Sequence, residues 1–286
     1  MPKKPTQPTR AKKPTQPTQA TKKQTPAAHR QTLLENFRTL RIPLTDQQLD
    51  AALARAEQEG LSHLQFVHCL IADQASGRRE RSIERRIREA HFRGLGTLES
   101  FDWKFNEKTI DRGRFEELAA GEFVRRGDNL VMVGQSGLGK SHLIEGVGHR
   151  LCSTEYRVRY VTSADLVKDL ATSRADDTLP RRVRYYGNFD LLIIDEFGFE
   201  KIERIDHPQA ANLLYKIIEA RYPRRSTALV TNVDFETWDE YLGDPPLAMA
   251  FLDRVVDGAI VLKLEGKSYR AHRARRIDAK PKPSDP

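Results

Sequence analysis

Cysteine is almost missing from this chain: Cys69 and Cys152 are the two in 286 residues, too few and too isolated for a disulfide framework or a zinc site. Long apolar runs are missing too. The longest, Asn129–Val133 and Asp190–Ile194, fall far short of the roughly 20 residues that a spanning helix needs, which excludes a membrane-spanning role. The N-terminus carries Lys and Pro and no apolar stretch of the kind a secretory signal requires, so a reducing cytoplasm is the expected location. The eight histidines make no HExxH pattern and no Cys/His cluster, and no zinc finger or other base-reading motif is present. Acid is absent from one end. Residues 1–30 hold Lys3, Lys4, Arg10, Lys12, Lys13, Lys22, Lys23 and Arg30 and no Asp or Glu.

That arm accounts for the whole formal charge of +8, and the remaining 40 basic and 40 acidic residues cancel. A basic arm on a neutral body suits contact with a polyanion, nucleic acid being the commonest, and serves equally as a solubilising tail. Within it Lys3-Lys-Pro-Thr-Gln-Pro-Thr9 returns as Lys12-Lys-Pro-Thr-Gln-Pro-Thr18, with a degenerate copy at Lys22. So much proline among Thr, Gln and Lys buries nothing, and predicts disorder with polyproline character.

From Gln31 to about Gly94 the pattern turns helical. Thr45-Asp-Gln-Gln48 reads as a capping box ahead of Leu49, Ala52, Leu53 and Ala56, and Gly60 supplies a left-handed stop. A second run, Leu64, Phe66, Val67, Leu70 and Ile71, precedes an Arg-rich stretch with seven Arg and three Glu between Arg78 and Arg93. Its spacing allows Arg85–Glu89 and Glu84–Arg88 pairs, so it reads as a solvated helix or as one that faces phosphates.

Beyond Asp102 short β-branched runs alternate with helical ones. Strands are predicted near 130–133, 158–161, 191–194, 228–231 and 260–264, with helices near 141–151, 164–173, 210–221 and 247–257. This alternation predicts an α/β domain with a five-stranded, mostly parallel sheet covered on both faces.

Gly134-Gln-Ser-Gly-Leu-Gly-Lys-Ser141 matches the phosphate-binding loop G-x-x-x-x-G-K-[ST], with the apolar strand before it and the helix after it that the pattern requires. Its glycines let successive N–H groups point at phosphates. Lys140 neutralises the β/γ oxygens and Ser141 offers an oxygen to Mg²⁺. The predicted nucleotide set is Gly134, Gln135, Ser136, Gly137, Leu138, Gly139, Lys140, Ser141 and His142. Fifty-five residues after Lys140 a buried-strand run ends in Asp195 and Glu196, suited to Mg²⁺ coordination and to polarising an attacking water, respectively. The consecutive acids favour hydrolysis over transfer to a substrate hydroxyl. A third strand ends at Thr231-Asn232, where the amide of Asn232 suits a place between the two acids, sensing the γ-phosphate. Arg254 lies on the outward side of a helix opened by Pro245-Pro246, as a surface ion pair or as a residue that reaches a neighbouring subunit. Arg181, Arg182 and Arg184, interleaved with Tyr185-Tyr186, read either as a grip on phosphate and sugar or as an exposed helix start.

In order and spacing, Gly134 to Ser141, Leu192-Ile-Ile-Asp-Glu-Phe-Gly198, Thr231-Asn232, Ala250-Phe-Leu-Asp-Arg254 and Gly266-Lys-Ser-Tyr-Arg270 resemble the IstB-like transposition helper ATPases. These belong to the initiator and helicase-loader branch of the AAA+ superfamily, alongside DnaC-like loaders. The resemblance spans roughly Leu33 to Arg270. It implies an AAA+ ATPase that uses ATP and Mg²⁺, with Asn232 as sensor, Arg254 as an arginine finger donated in trans, and a homo-oligomer on duplex DNA that serves a partner transposase. Two features depart from it: the repeated basic arm is additional, and Val256 stands where histidine is expected. The chain runs only a little past the fifth strand, which leaves Arg270 as a candidate second sensor or DNA contact. The expected organisation is an arm over 1–30, a small helical domain over 31–94, the ATPase domain over 95–270 and a basic tail over 271–286. Bending of the duplex, read through its deformability, would mark a target without base contacts. The alternatives are a replicative helicase loader and, from other classes, a small-molecule P-loop kinase or a nucleotide-gated binding module.

Overall fold

The computed structural model of the chain describes residues 25–198 and 209–278; the arm repeat and the final prolines lie outside the described residues. The chain divides between Arg78 and Arg79 into two compact units. In the first, α1 (Pro26–Thr39), α2 (Asp46–Glu59) and the start of α3 (His63–Ala90) enclose a small core of Leu34, Leu44, Leu49 and Leu70. The capping box is formed, with Thr45 accepting from the Gln48 N–H and the Gln48 side chain from the Thr45 N–H, and Gly60 closes α2 at φ 62°.

Three boundaries differ from expectation. Helix begins at Pro26, inside the expected arm, because Thr25 caps it through the Ala28 N–H and proline suits the first turn. The two runs of the second helical stretch form a single helix of 28 residues, which Gly77 does not interrupt. The units part at 78/79 and not at 94/95, since Ile87 and Ala90 join the core of the second unit and Arg86 Nε donates to Cys152 O at 2.8 Å. At the far end α12 (Tyr269–Asp278) continues helically through residues expected to fray.

The second unit runs α4 (Arg112–Ala119), α5 (Glu122–Arg126), β1 (Leu130–Gly134), α6 (Lys140–Ser153), β2 (Val158–Thr162), α7 (Ser163–Ala175), α8 (Leu179–Gly187), β3 (Leu191–Phe197), α9 (Ala210–Arg221), β4 (Ser226–Thr231), α10 (Trp238–Leu242), α11 (Pro245–Val256), β5 (Ile260–Leu264) and α12. Every strand pairing is parallel and the order is β2-β3-β4-β1-β5. All five strands fall where the β-branched runs predict. Alternate residues divide the core. Leu130, Met132, Leu191, Ile193, Ala228 and Val230 meet α4, α5 and α6, while Val131, Val133, Leu192, Ile194 and Leu229 meet α7, α8, α9 and α11. The fold is an α/β P-loop NTPase of AAA+ type. Among the described residues no helix is long and apolar enough to cross a membrane.

Arg221, the last residue of α9, is 1% exposed and carries no carboxylate of its own. Its guanidinium donates to Tyr186 O at 2.6 Å, Phe189 O at 3.0 Å and Thr227 Oγ1 at 3.0 Å, and also to Ser226 O. It thus supplies donors to carbonyls at the end of α8, just ahead of β3 and at the amino end of β4 that would otherwise be buried bare. Burial, helped by Arg225 and opposed by Asp190, pulls its pKa down to about 9. Arg221→Met keeps the volume and removes the donors. It is expected to cost about 3 kcal/mol or more in urea unfolding, because each unsatisfied buried carbonyl is destabilising by roughly 1–3 kcal/mol; a loss under about 1 kcal/mol would show that water replaces the guanidinium.

Candidate functional site

The carboxyl ends of β1, β3 and β4 open on a cleft of about 290 Å³, lined by Ser136, Gly137, Gly139, Lys140, Ser141, His142, Asp195, Glu196, Val230, Thr231, Asn232, Tyr269 and Arg270. Gly137 and Gly139 both stand at φ 85°, and neither has room for a side chain. A Cβ would come within 2.2 Å of Ser268 Oγ at the first and 2.6 Å of Phe101 Cε2 at the second. The loop therefore lies tight against these two neighbours, and α6 starts at Lys140 with no side chain capping it. Leu138 is buried and anchors the loop in the core, so only its backbone belongs to the site. Gln135 takes part through its carbonyl: Lys140 Nζ donates to Gly134 O at 2.5 Å and to Gln135 O at 2.9 Å, bent across the loop. Burial pulls the Lys140 pKa down; Asp195 opposes this and Arg270 adds to it.

Asp195 is 2% exposed, and both its oxygens are engaged: Oδ2 accepts from the Tyr160 hydroxyl at 2.6 Å and Oδ1 from the Glu196 N–H at 2.7 Å. Burial, then the Asp195 charge, push the Tyr160 phenol far above its ordinary range, so it stays a donor. The register of β3 against β4 shifts between Ile194 and Phe197, and there Glu196 takes a left-handed φ of 58° and bulges to the exposed side of the strand. Its carboxylate pairs with Arg93, Nη1 to Oε1 at 2.8 Å. Thr231 Oγ1 donates to Phe197 O at 2.7 Å, tying the ends of β3 and β4 together, and the exposed Asn232 follows into the cleft.

Arg254 is not in this cleft. It lies on α11 at the amino ends of the strands, where Asn129 Nδ2 donates to Arg254 O at 3.1 Å and the guanidinium stacks 4.8 Å from the Tyr222 ring. Its contact with the exposed Asp253 is long, at 3.4 Å. The basic stretch of α8 divides: Arg182 and the buried Tyr186 both bind Asp169, at 2.7 Å each, whereas Arg181, Arg184 and Tyr185 remain exposed. His142 Nε2 lies 2.9 Å from Thr97 O and 3.1 Å from Ser100 Oγ, so its ring also ties α6 to the preceding loop.

Sequence reasoning missed Tyr160, Arg93 and a smaller hollow of about 110 Å³ beside the cleft, walled by Phe101, Phe105, Leu138 and Tyr269. Phe105 packs edge-on against Tyr269 at 5.1 Å, and Tyr269 N donates to Gly137 O at 2.8 Å. Tyr160 was visible as a polar-tipped residue on a buried strand. Nothing in the sequence pairs Arg93 with a residue 103 positions away.

Because burial lowers the pKa of Lys140, its charge is lost at a lower pH than for an ordinary lysine. ATP affinity, measured by calorimetry from pH 7 upward, should hold at first and then decline before pH reaches 10.5, the ordinary value, with proton uptake on binding over the same range. A flat profile to pH 10.5 would contradict a role for the ammonium in binding phosphate.

The description "IstB-like ATP binding protein" fits residues 36–277 of the chain. An insertion-sequence ATP-binding protein of Sinorhizobium fredii is 34% identical over 224 residues, covering 78% of this chain and 89% of the relative. The insertion sequence IS21 ATP-binding protein of Pseudomonas aeruginosa is 30% identical over 238 residues, covering 83% and 88%. Among solved structures, a DNA replication initiation factor superposes at a TM-score of 0.50 and 18% identity over 64% of this chain and 54% of that one, a likeness of fold. The phosphate loop, the paired acids and these relatives together make the chain a member of the IstB-like ATP-binding proteins.

Proposed function

We propose that this ATPase assembles with ATP on duplex DNA, remodels it and presents it to a partner transposase. The observation that carries this reading is the division of the machinery between two ends of one sheet. The cleft has a phosphate cradle, a cation and an acid pair, but the candidate finger, Arg254, stands at the opposite ends of the strands. A five-residue strand spans roughly 16 Å, beyond the reach of an arginine side chain. In this reading each site is completed by the Arg254 of a neighbouring copy, so hydrolysis depends on a homo-oligomer.

The residues present suit the groups they would hold. Two left-handed glycines let the loop pass Ser268 and Phe101 where a Cβ would clash, Lys140 is the cation over the loop, and the hydroxyl of Ser141 with the buried carboxylate of Asp195 is a set of hard oxygens fit for Mg²⁺. Mg²⁺, when bound, neutralises charge on the β- and γ-phosphates. Lys140 exchanges its carbonyl partners for phosphate oxygens. Glu196 accepts the proton of the attacking water, Asn232 orients that water, and the partner copy's arginine meets the charge that develops in the transition state. The aromatic hollow of Phe101, Phe105 and Tyr269 takes the base, which leaves Arg270 on the phosphate side as second sensor.

DNA contact is assigned to the basic arm, with Arg181, Arg184 and the exposed arginines of α3 as further phosphate contacts on the body; Arg30, paired with Asp46 and Asp50, and Arg182, paired with Asp169, are the weakest of the set. The insertion-sequence context of the relatives favours a transposase over a replicative helicase as the partner, and the acid pair favours hydrolysis over a small-molecule kinase. We assign this work on DNA to the cytoplasm.

Mixing tests the shared site. Arg254→Ala and Lys140→Ala subunits should each be inactive alone, the first by a factor on the order of a thousand. Combined on duplex DNA they should recover part of the wild-type ATPase rate, because a neighbour supplies what each lacks. Co-assembly without any recovery would mean that Arg254 acts within its own subunit or only in packing.

A further inference from the structure

At the amino ends of the strands, far from the cleft, two polar contacts converge on Arg254. The first acts on its backbone. Asn129 is 8% exposed and stands directly ahead of β1; its Nδ2 donates to Arg254 O at 3.1 Å and to Val255 O at 3.2 Å, and its Oδ1 accepts from the Thr227 N–H of β4 at 2.9 Å. The last carbonyls of a helix have no partner within it, so a buried amide that takes two of them pins the end of α11 to the start of β1 and to β4. The chain beneath Arg254 is therefore fixed to the sheet.

The second contact acts on the side chain. Tyr222 is the first residue after α9, whose end the Arg221 guanidinium locks to the carbonyls of Tyr186, Phe189 and Ser226, and its own N–H donates to Ile218 O at 3.0 Å. The Tyr222 ring lies 4.8 Å from the Arg254 guanidinium, and its hydroxyl donates to Asp257 Oδ2, at the end of α11, at 3.3 Å. The ring is thus held at its base and at its tip. Arg254 still keeps 37% of its side chain exposed, so the stack does not bury the cation. A long arginine loses rotamer entropy when it engages a phosphate, and a guanidinium already stacked on a fixed ring has lost part of it beforehand.

We propose that Tyr222 is a positioning residue for the arginine that this chain gives its neighbour: the ring holds the Arg254 guanidinium extended from the amino ends of the strands, its open side free to meet a γ-phosphate in the next cleft. This rests on the reading of Arg254 as a finger acting in trans. Tyr222 does not line the cleft of its own subunit, so the loss of its ring is felt by the neighbouring site and leaves nucleotide binding at home intact.

The test is steady-state ATPase of the full chain on duplex DNA for wild type, Tyr222→Phe, Tyr222→Leu and Tyr222→Ala, with thermal unfolding to confirm folding. Tyr222→Leu and Tyr222→Ala should lower kcat about fivefold with KM for ATP unchanged, and Tyr222→Phe, which keeps the aromatic face, should stay within about twofold of wild type. Mixing then assigns the defect to a subunit. Arg254→Ala chains have an intact cleft and no finger; Lys140→Ala chains should restore their turnover, and Lys140→Ala/Tyr222→Leu chains should restore about fivefold less at equal co-assembly. Equal restoration by the two, a wild-type or raised kcat in Tyr222→Leu, or a fall in Tyr222→Phe as deep as in Tyr222→Leu would each overturn the proposal. Failure of co-assembled Lys140→Ala chains to restore any turnover would instead overturn the underlying reading of Arg254.

Discussion

Between Gly134 and Lys140 the backbone turns through two left-handed glycines, with the hydroxyl of Ser268 and the ring of Phe101 standing where Cβ atoms would otherwise be. The close approach fixes three segments at once: the phosphate loop, the turn that enters α12, and the loop ahead of α4. A side chain at either glycine would push one of those segments away. The same packing puts Tyr269 against the loop carbonyl of Gly137 and so closes the aromatic hollow beside the cleft. The shape of the cleft and the shape of the hollow are thus one steric problem, solved by the absence of two side chains.

The acids obey a different constraint. Asp195 is buried and satisfied by Tyr160 and by the backbone, which holds it still, whereas Glu196, one residue on, bulges from the strand at a register shift and is kept within reach of solvent. Adjacent acids gain separate environments because the strand bulges between Ile194 and Phe197. The buried charge on Asp195 also offsets part of the desolvation of Lys140 and so supports the ionised state of that cation.

Much of this was legible in the sequence. The five strands follow from unbroken β-branched runs, since a sheet buried on both faces needs apolar residues at every position and not at alternate ones. The phosphate loop and Asp195-Glu196 are legible because their chemistry depends on residues close together in the chain. What depends on tertiary approach was not. Arg93 meets Glu196 across 103 positions, Phe101 and Ser268 approach the loop from opposite ends of the domain, and Arg221 reads as an ordinary basic helix terminus until the carbonyls around it are seen. The division at 78/79 was hidden for a related reason: α3 runs through it without a Gly or Pro break strong enough to mark it, and only the packing of Ile87 and Ala90 shows to which unit its end belongs.

The account stands on Arg254 serving a cleft other than its own. Electron microscopy of the full chain with duplex DNA, Mg²⁺ and a non-hydrolysable ATP analogue measures this directly. The account predicts successive copies along the duplex, with the Arg254 guanidinium of each within hydrogen-bonding distance of the γ-phosphate held by Lys140 and Ser141 of the next. An isolated subunit on DNA with nucleotide bound, or an assembly in which Arg254 keeps its stack on Tyr222 and faces no phosphate, would contradict it.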